Sequence, residues 1–150
     1  MKNSNPSLAA YMTYVSEEGI NFHRFVEYGG RLLGADDAEA LAGSLAGLHE
    51  KISSVRDRHP KLARQLKFLM EIFDKASPDL VPETARNEIV FALLYALKEM
   101  DLMPDDMPGI GYLDDAAVTE VVLARNADVF ENYCEQHDIE WAALAPESLP

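Results

Sequence analysis

Five aspartates fall within "MDLMPDDMPGIGYLDD": Asp101, Asp105, Asp106, Asp114 and Asp115. Carboxylates at this density have two kinds of work open to them. Asp101, one of Asp105 and Asp106, and one of Asp114 and Asp115 could converge. Three carboxylates at one point repel one another unless a cation or a basic group sits between them, and hard divalent ions such as Mg²⁺ or Ca²⁺ suit oxygen ligands. Alternatively each acid serves its own backbone. Asp114 is expected as the N-cap of a helix, with Asp115 in the first turn where negative charge suits the dipole, and Asp105 or Asp106 bonding its own turn.

Spacing argues against the known cation motifs. Counted from Asp105, a calcium-binding EF-hand loop needs oxygen ligands where Met107 and Gly109 stand, and Ala116 occupies the place of its last glutamate. An aspartate-rich prenyl-transfer motif needs an acid at Gly109. No metal is assigned on this basis, and the structural use of the acids is the expectation.

The other reactive residue types form no site. His23, His49, His59 and His137 lack a Glu three residues ahead, so the carboxylate-bridged di-iron pattern is absent. Cys134 and His137 have a spacing that zinc could use, but there is no second cysteine, and a buried thiol beside a surface histidine is the expected arrangement. No serine lies in a Gly-x-Ser-x-Gly setting and no phosphate-cradling glycine-rich loop precedes a helix. No catalytic residue and no cofactor are assigned.

A basic cluster is the remaining feature. Lys51, Arg56, Arg58, Lys61, Arg64 and Lys67 are six of the thirteen lysines and arginines, opposed locally by Asp57. From Asp105 onward there are eleven acids and one base, Arg125. The chain is thus electrically lopsided, with a net charge of −13. That charge disfavours nucleic acid and anionic membranes as partners. The cluster is either a solvated face or a docking patch for an acidic partner, which includes a second copy of the chain.

The elements that must position these residues read as helical throughout, without period-two alternation. A first helix is expected over 8–17. A second spans 21–33, with Phe22, Phe25, Val26 and Leu33 inward and Gly34 as a left-handed cap. A third starts at Asp36, boxed by Glu39, and carries Leu41, Leu45, Leu48, Ile52 and Val55 on one face. Ala42, Gly43, Ala46 and Gly47 beside that face predict close approach of another helix. Pro60 opens a fourth helix with a Leu62, Leu66, Leu69 and Phe73 stripe, ending before Ser77. Pro82 opens a fifth, which runs through "IVFALLYAL" to about Met100. That run is too short to span a membrane, which takes about 20 apolar residues, so Ile89, Phe91, Leu93, Leu94 and Leu97 are expected in the core. Pro104, Pro108, Gly109 and Gly111 then make a corner. A sixth helix runs from Asp114 to Gln136, with Val118, Val122, Val129 and Tyr133 inward, and a short turn around Trp141 closes the fold.

The corner carries a resemblance. Asp101, Pro104, Asp105, Pro108, Gly111, Asp114 and Asp115 match, position by position, the signature of the YkvA-like family, a bacterial and archaeal domain of unknown function. The similarity covers 87–125, in the last third of the chain. The family's proline before the first aspartate is replaced here by Lys98, Glu99 and Met100. Relatives carry a more continuous apolar helix after the Asp-Asp pair and look membrane-associated, whereas the helix here is amphipathic and acidic. The resemblance implies a helical corner module and no activity.

The expectation is a single compact all-α domain, residues 1–150, of about six helices. One cysteine and an N-terminus without an apolar signal core point to the cytoplasm. The function expected is a non-catalytic interaction or regulatory module with a protein partner or self-association. The alternatives are a divalent-metal protein or metal-dependent enzyme using the corner aspartates, and a peripheral membrane adaptor.

Overall fold

The computed structural model describes residues 21–77, 79–97 and 112–146. The expected first helix and the corner from 98 to 111 lie outside them. Among the described residues there are seven α-helices, one 3-10 turn and no strand, which makes the domain all-α.

Helix α1 (Phe22–Arg31) starts where Asn21 Oδ1 accepts the Arg24 N–H at 3.2 Å, an N-cap that satisfies one of the orphan donors of the first turn. It ends when the Leu32 N–H turns back to the carbonyls of Tyr28 and Gly29. Gly34 is therefore not its left-handed cap. With φ at −132°, Gly34 is extended and instead precedes the next helix, α2 (Ala35–Ala42). The expected Asp36–Glu39 box also shifts, by two residues, to Gly34 and Asp37. Asp37, buried and in the third position, accepts the Gly34 N–H at 2.6 Å.

The expected third helix is two. Between α2 and α3 (Leu45–Val55) the chain breaks at Gly43 and Ser44, where the Ser44 hydroxyl donates to the Ala40 carbonyl at 3.0 Å and competes with the helical ladder. The break preserves the apolar register: Leu41, Leu48, Ile52 and Val55 are buried and Leu45 packs on the core. The small residues Ala42, Gly43, Ala46 and Gly47 are all exposed, so the close approach they predicted does not occur there.

It occurs at α1 instead. Helix α5 (Glu83–Leu97) is the hub, in contact with α1 to α4 and with α6 (Tyr112–Arg125). Every residue from Glu88 to Ala96 is buried, while Leu97 is half-buried. A Cβ on Gly29 would collide with the Phe91 ring, and one on Gly30 would stand 3.0 Å from Glu88 Cγ. The glycine pair thus lets α1 lie against α5. Phe25 meets Phe91 and Tyr95 edge-on across that contact, with centroids 5.1 and 5.5 Å apart, a geometry that adds roughly 0.5–1.5 kcal/mol per pair beyond burial.

Helix α4 (Pro60–Lys75) matches its prediction at both ends, with Pro60 in the first turn and the expected leucine stripe buried. Pro82 precedes α5 rather than opening it, and its carbonyl accepts the first helical bond from Arg86. The expected sixth helix is again two, α6 and α7 (Ala127–Gln136), broken at Asn126. Val118, Val122 and Tyr133 are buried and Val129 is half-buried. Helix α7 ends on Asp138, at φ 59°, with the Ile139 N–H returning to the Cys134 carbonyl. The closing turn at Trp141–Ala143 is pinned when Gln65 Nε2 donates to the Leu144 carbonyl at 2.9 Å.

Candidate functional site

The aspartate motif enters the described residues only at its downstream end, within α6. Asp101, Pro104, Asp105, Pro108 and Gly111 lie outside the described residues. Asp114 is already inside α6, which includes Tyr112, so it is a first-turn residue and not the N-cap. Asp115, one residue on, is 1% exposed. Its Oδ2 lies 3.0 Å from Lys51 Nζ. A carboxylate so far from water requires a positive partner, because desolvation of a lone charge costs several kcal/mol. Thr119, one turn further along α6 on the same face, is fully buried too.

This pair divides the basic cluster. Lys51 turns inward from α3, with 20% of its side chain exposed. Lys61 is half-buried at the start of α4. Arg56 and Arg58, in the turn after α3, and Arg64 and Lys67, on α4, are exposed. The three-residue step from Arg64 to Lys67 puts both on the side of α4 away from its buried leucines.

Cys134 is buried on α7, and burial first, then the charge of Glu131, pushes its thiol above the usual range. It is therefore not an activated nucleophile. His137, exposed, stacks on Tyr133 with ring centroids 4.1 Å apart and places Nδ1 3.0 Å from the Tyr133 carbonyl. Among the described residues no three His, Cys, Asp or Glu side chains are grouped as a metal site. No helix among them is long and apolar enough to cross a membrane.

A constellation that the motifs did not indicate lies where α1 crosses α5. Glu88, 7% exposed, faces the α6–α7 break. Arg125 clamps it side-on, Nε to Oε1 at 3.1 Å and Nη2 to Oε2 at 3.0 Å. Asn126 Nδ2 donates to the same Oε1 at 3.0 Å and to the Val122 carbonyl at 2.9 Å. Hydrogen bonding to Glu88 holds the Arg125 guanidinium above its ordinary pKa against the opposing effect of burial, and the charges of Glu88 and Glu27 add to the rise. Across from it on α1, Arg31 pairs with Glu27 at 3.0 Å.

These groups wall a cleft of about 210 Å³. Glu27, Gly30 and Arg31 form its α1 side, and Thr84, Asn87 and Glu88 its α5 side. Arg125 and Asn126 close the end. Two features of the sequence coincide with this place, Gly29–Gly30 inside a helix and Arg125 as the lone base among the acids that follow the corner, though neither reads as a site from the sequence alone. Neither names its partner.

The described residues place the chain among all-α proteins. Residues 85–120 match the family described as "Protein of unknown function (DUF1232)", in agreement with the YkvA-like resemblance. The matched segment starts and stops earlier than 87–125 and is not the C-terminal third. It takes in α5 from Ala85, the corner, and α6 to Glu120. No curated protein and no solved structure matches the chain.

Proposed function

We propose that this protein is a non-catalytic helical interaction module of the cytoplasm, which docks an acidic protein surface on the basic row of Arg56, Arg58, Arg64 and Lys67, and that the acidic surface is the C-terminal third of a second copy. The observation that carries this reading is the exposure of those four cations, two in the turn after α3 and two on the side of α4 away from its buried leucines. They do nothing for the interior, in a chain of net charge −13. Asp115 supports a structural use of the corner, because its buried carboxylate already has the Lys51 ammonium at 3.0 Å. A divalent ion at that carboxylate would have to displace the lysine. An anionic lipid surface would attract the same row but repel the molecule as a whole.

Sedimentation velocity tests the proposal. Self-association is expected at low ionic strength and is lost as salt shortens the screening length toward about 3 Å near 1 M. Arg58→Glu, Arg64→Glu and Lys67→Glu together dissociate the assembly while leaving the fold intact, since exposed substitutions usually lie within about ±0.5 kcal/mol each. A monomer at low salt rules out self-docking. An oligomer indifferent to both salt and charge reversal overturns the electrostatic interface.

A further inference from the structure

The cleft between α1 and α5 brings polar groups and charges of both signs together in one place. Every side chain that lines it ends in a polar group. It is smaller than the roughly 300 Å³ at which pockets for drug-sized ligands begin, which sets the ligand at the size of a simple metabolite. One wall is rigid. Glu88 is buried, and its two bonds to Arg125 fix the guanidinium as an oriented plate. That side-on clamp uses Nε and one Nη2 proton. The opposite edge of the plate, Nη1 with the second Nη2 proton, has the fork geometry that binds a carboxylate.

The other wall supplies the opposite charge. Glu27 accepts from Arg31 through Oε2, which leaves Oε1 for a cation. Its charge also reaches Arg125 across the cleft. A purely anionic ligand would meet Glu27 and Glu88, and a purely cationic one would meet Arg31 and Arg125. A molecule that carries both signs on adjacent atoms meets complementary groups on both sides. The Thr84 hydroxyl and the Asn87 carboxamide on α5 each donate and accept, which suits a short polar side chain.

We propose that this cleft binds a free α-amino acid with a small polar side chain, its carboxylate on the outer edge of Arg125 and its ammonium on Glu27. Calorimetric titration of the full chain with L-serine, L-asparagine and L-glutamine tests this, with acetate and ethylamine as the separated halves of the ligand. At least one of the three amino acids is expected to bind saturably at one per chain, and each half more weakly by about tenfold or more, the loss of one charge-assisted hydrogen bond. Glu27→Gln reduces amino-acid affinity by a similar factor with the melting temperature unchanged, because an exposed pair one helical turn apart adds little to stability. Thr84→Ala, which touches no ion pair, also weakens binding. Absence of saturable binding by all three amino acids overturns the proposal. So does acetate or ethylamine binding as tightly as the whole amino acid, or Glu27→Gln and Thr84→Ala both binding like the unaltered protein.

Discussion

Glu88→Ala is the sharpest probe of how the α5, α6 and α7 junction is held. Glu88 is 7% exposed and accepts three hydrogen bonds, two from Arg125 and one from Asn126. Removal of one member of a buried ion pair typically costs about 3–5 kcal/mol, because the remaining charge is stranded. The two members are not equally stranded. The Arg125 side chain is 27% exposed and that of Glu88 10%. Without Glu88 the guanidinium regains part of its water, and Asn126 keeps the Val122 carbonyl, so we expect a loss of about 2–3 kcal/mol. Without Arg125 the carboxylate regains little, so Arg125→Ala should lie at about 3–5 kcal/mol. The double variant should fall short of the sum by about 2 kcal/mol, since the second removal no longer strands a partner. Urea unfolding at pH 7, followed by the fluorescence of Trp141, measures all three, and the single variants should melt lower by about 2–4 °C per kcal/mol. Losses within about 0.5 kcal/mol that simply add would mean a solvated pair of the surface kind and would refute the burial reasoning. A reversed order, with Glu88→Ala the worse, would refute the solvation asymmetry.

Two further outcomes follow from the same physics. Lys51→Met takes the ammonium away from a carboxylate that is 1% exposed, so it should cost about 3 kcal/mol, and Lys51→Met with Asp115→Asn should recover part of that loss; equal stability of Lys51→Met and the unaltered chain in urea would show that the pair is dispensable. On the alkaline side, Cys134 and Tyr133 both have raised pKa values, through burial first and then neighbouring acids. The folded state therefore holds their protons longer than the unfolded chain does. The stability they add is complete below the unfolded thiol pKa of about 8.5 and falls as pH rises through the folded values, first at the thiol and then at the phenol, whose unfolded pKa is about 10. Urea midpoints from pH 7 to 10 should decline, and Cys134→Ala should remove the earlier part of the decline; a flat profile would contradict the raised values.

The sequence by itself determined what depends on near neighbours. Helix α4 was legible at both ends because Pro60 tolerates the first helical position and the stripe of Leu62, Leu66, Leu69 and Phe73 repeats at helical spacing. The burial of α5 followed from an apolar run too short for a bilayer, and the corner aspartates followed a family pattern that residues 85–120 match. Tertiary structure decided the rest. The breaks at Gly43–Ser44 and at Asn126 leave the apolar periodicity unbroken, so a pattern of spacing runs straight through them. The second break coincides with a side chain drawn to Glu88, which is 38 residues away in the chain. Choosing which of 26 acids meets which of 13 lysines and arginines is likewise a long-range matter. Lys51 reads as one of six surface cations, and the fold sends it inward because α6 brings Asp115 into a place from which water is excluded. The cleft has the same origin. Its charges lie on three separate stretches of chain, and they become one site where Gly29 and Gly30 allow α1 to rest on α5.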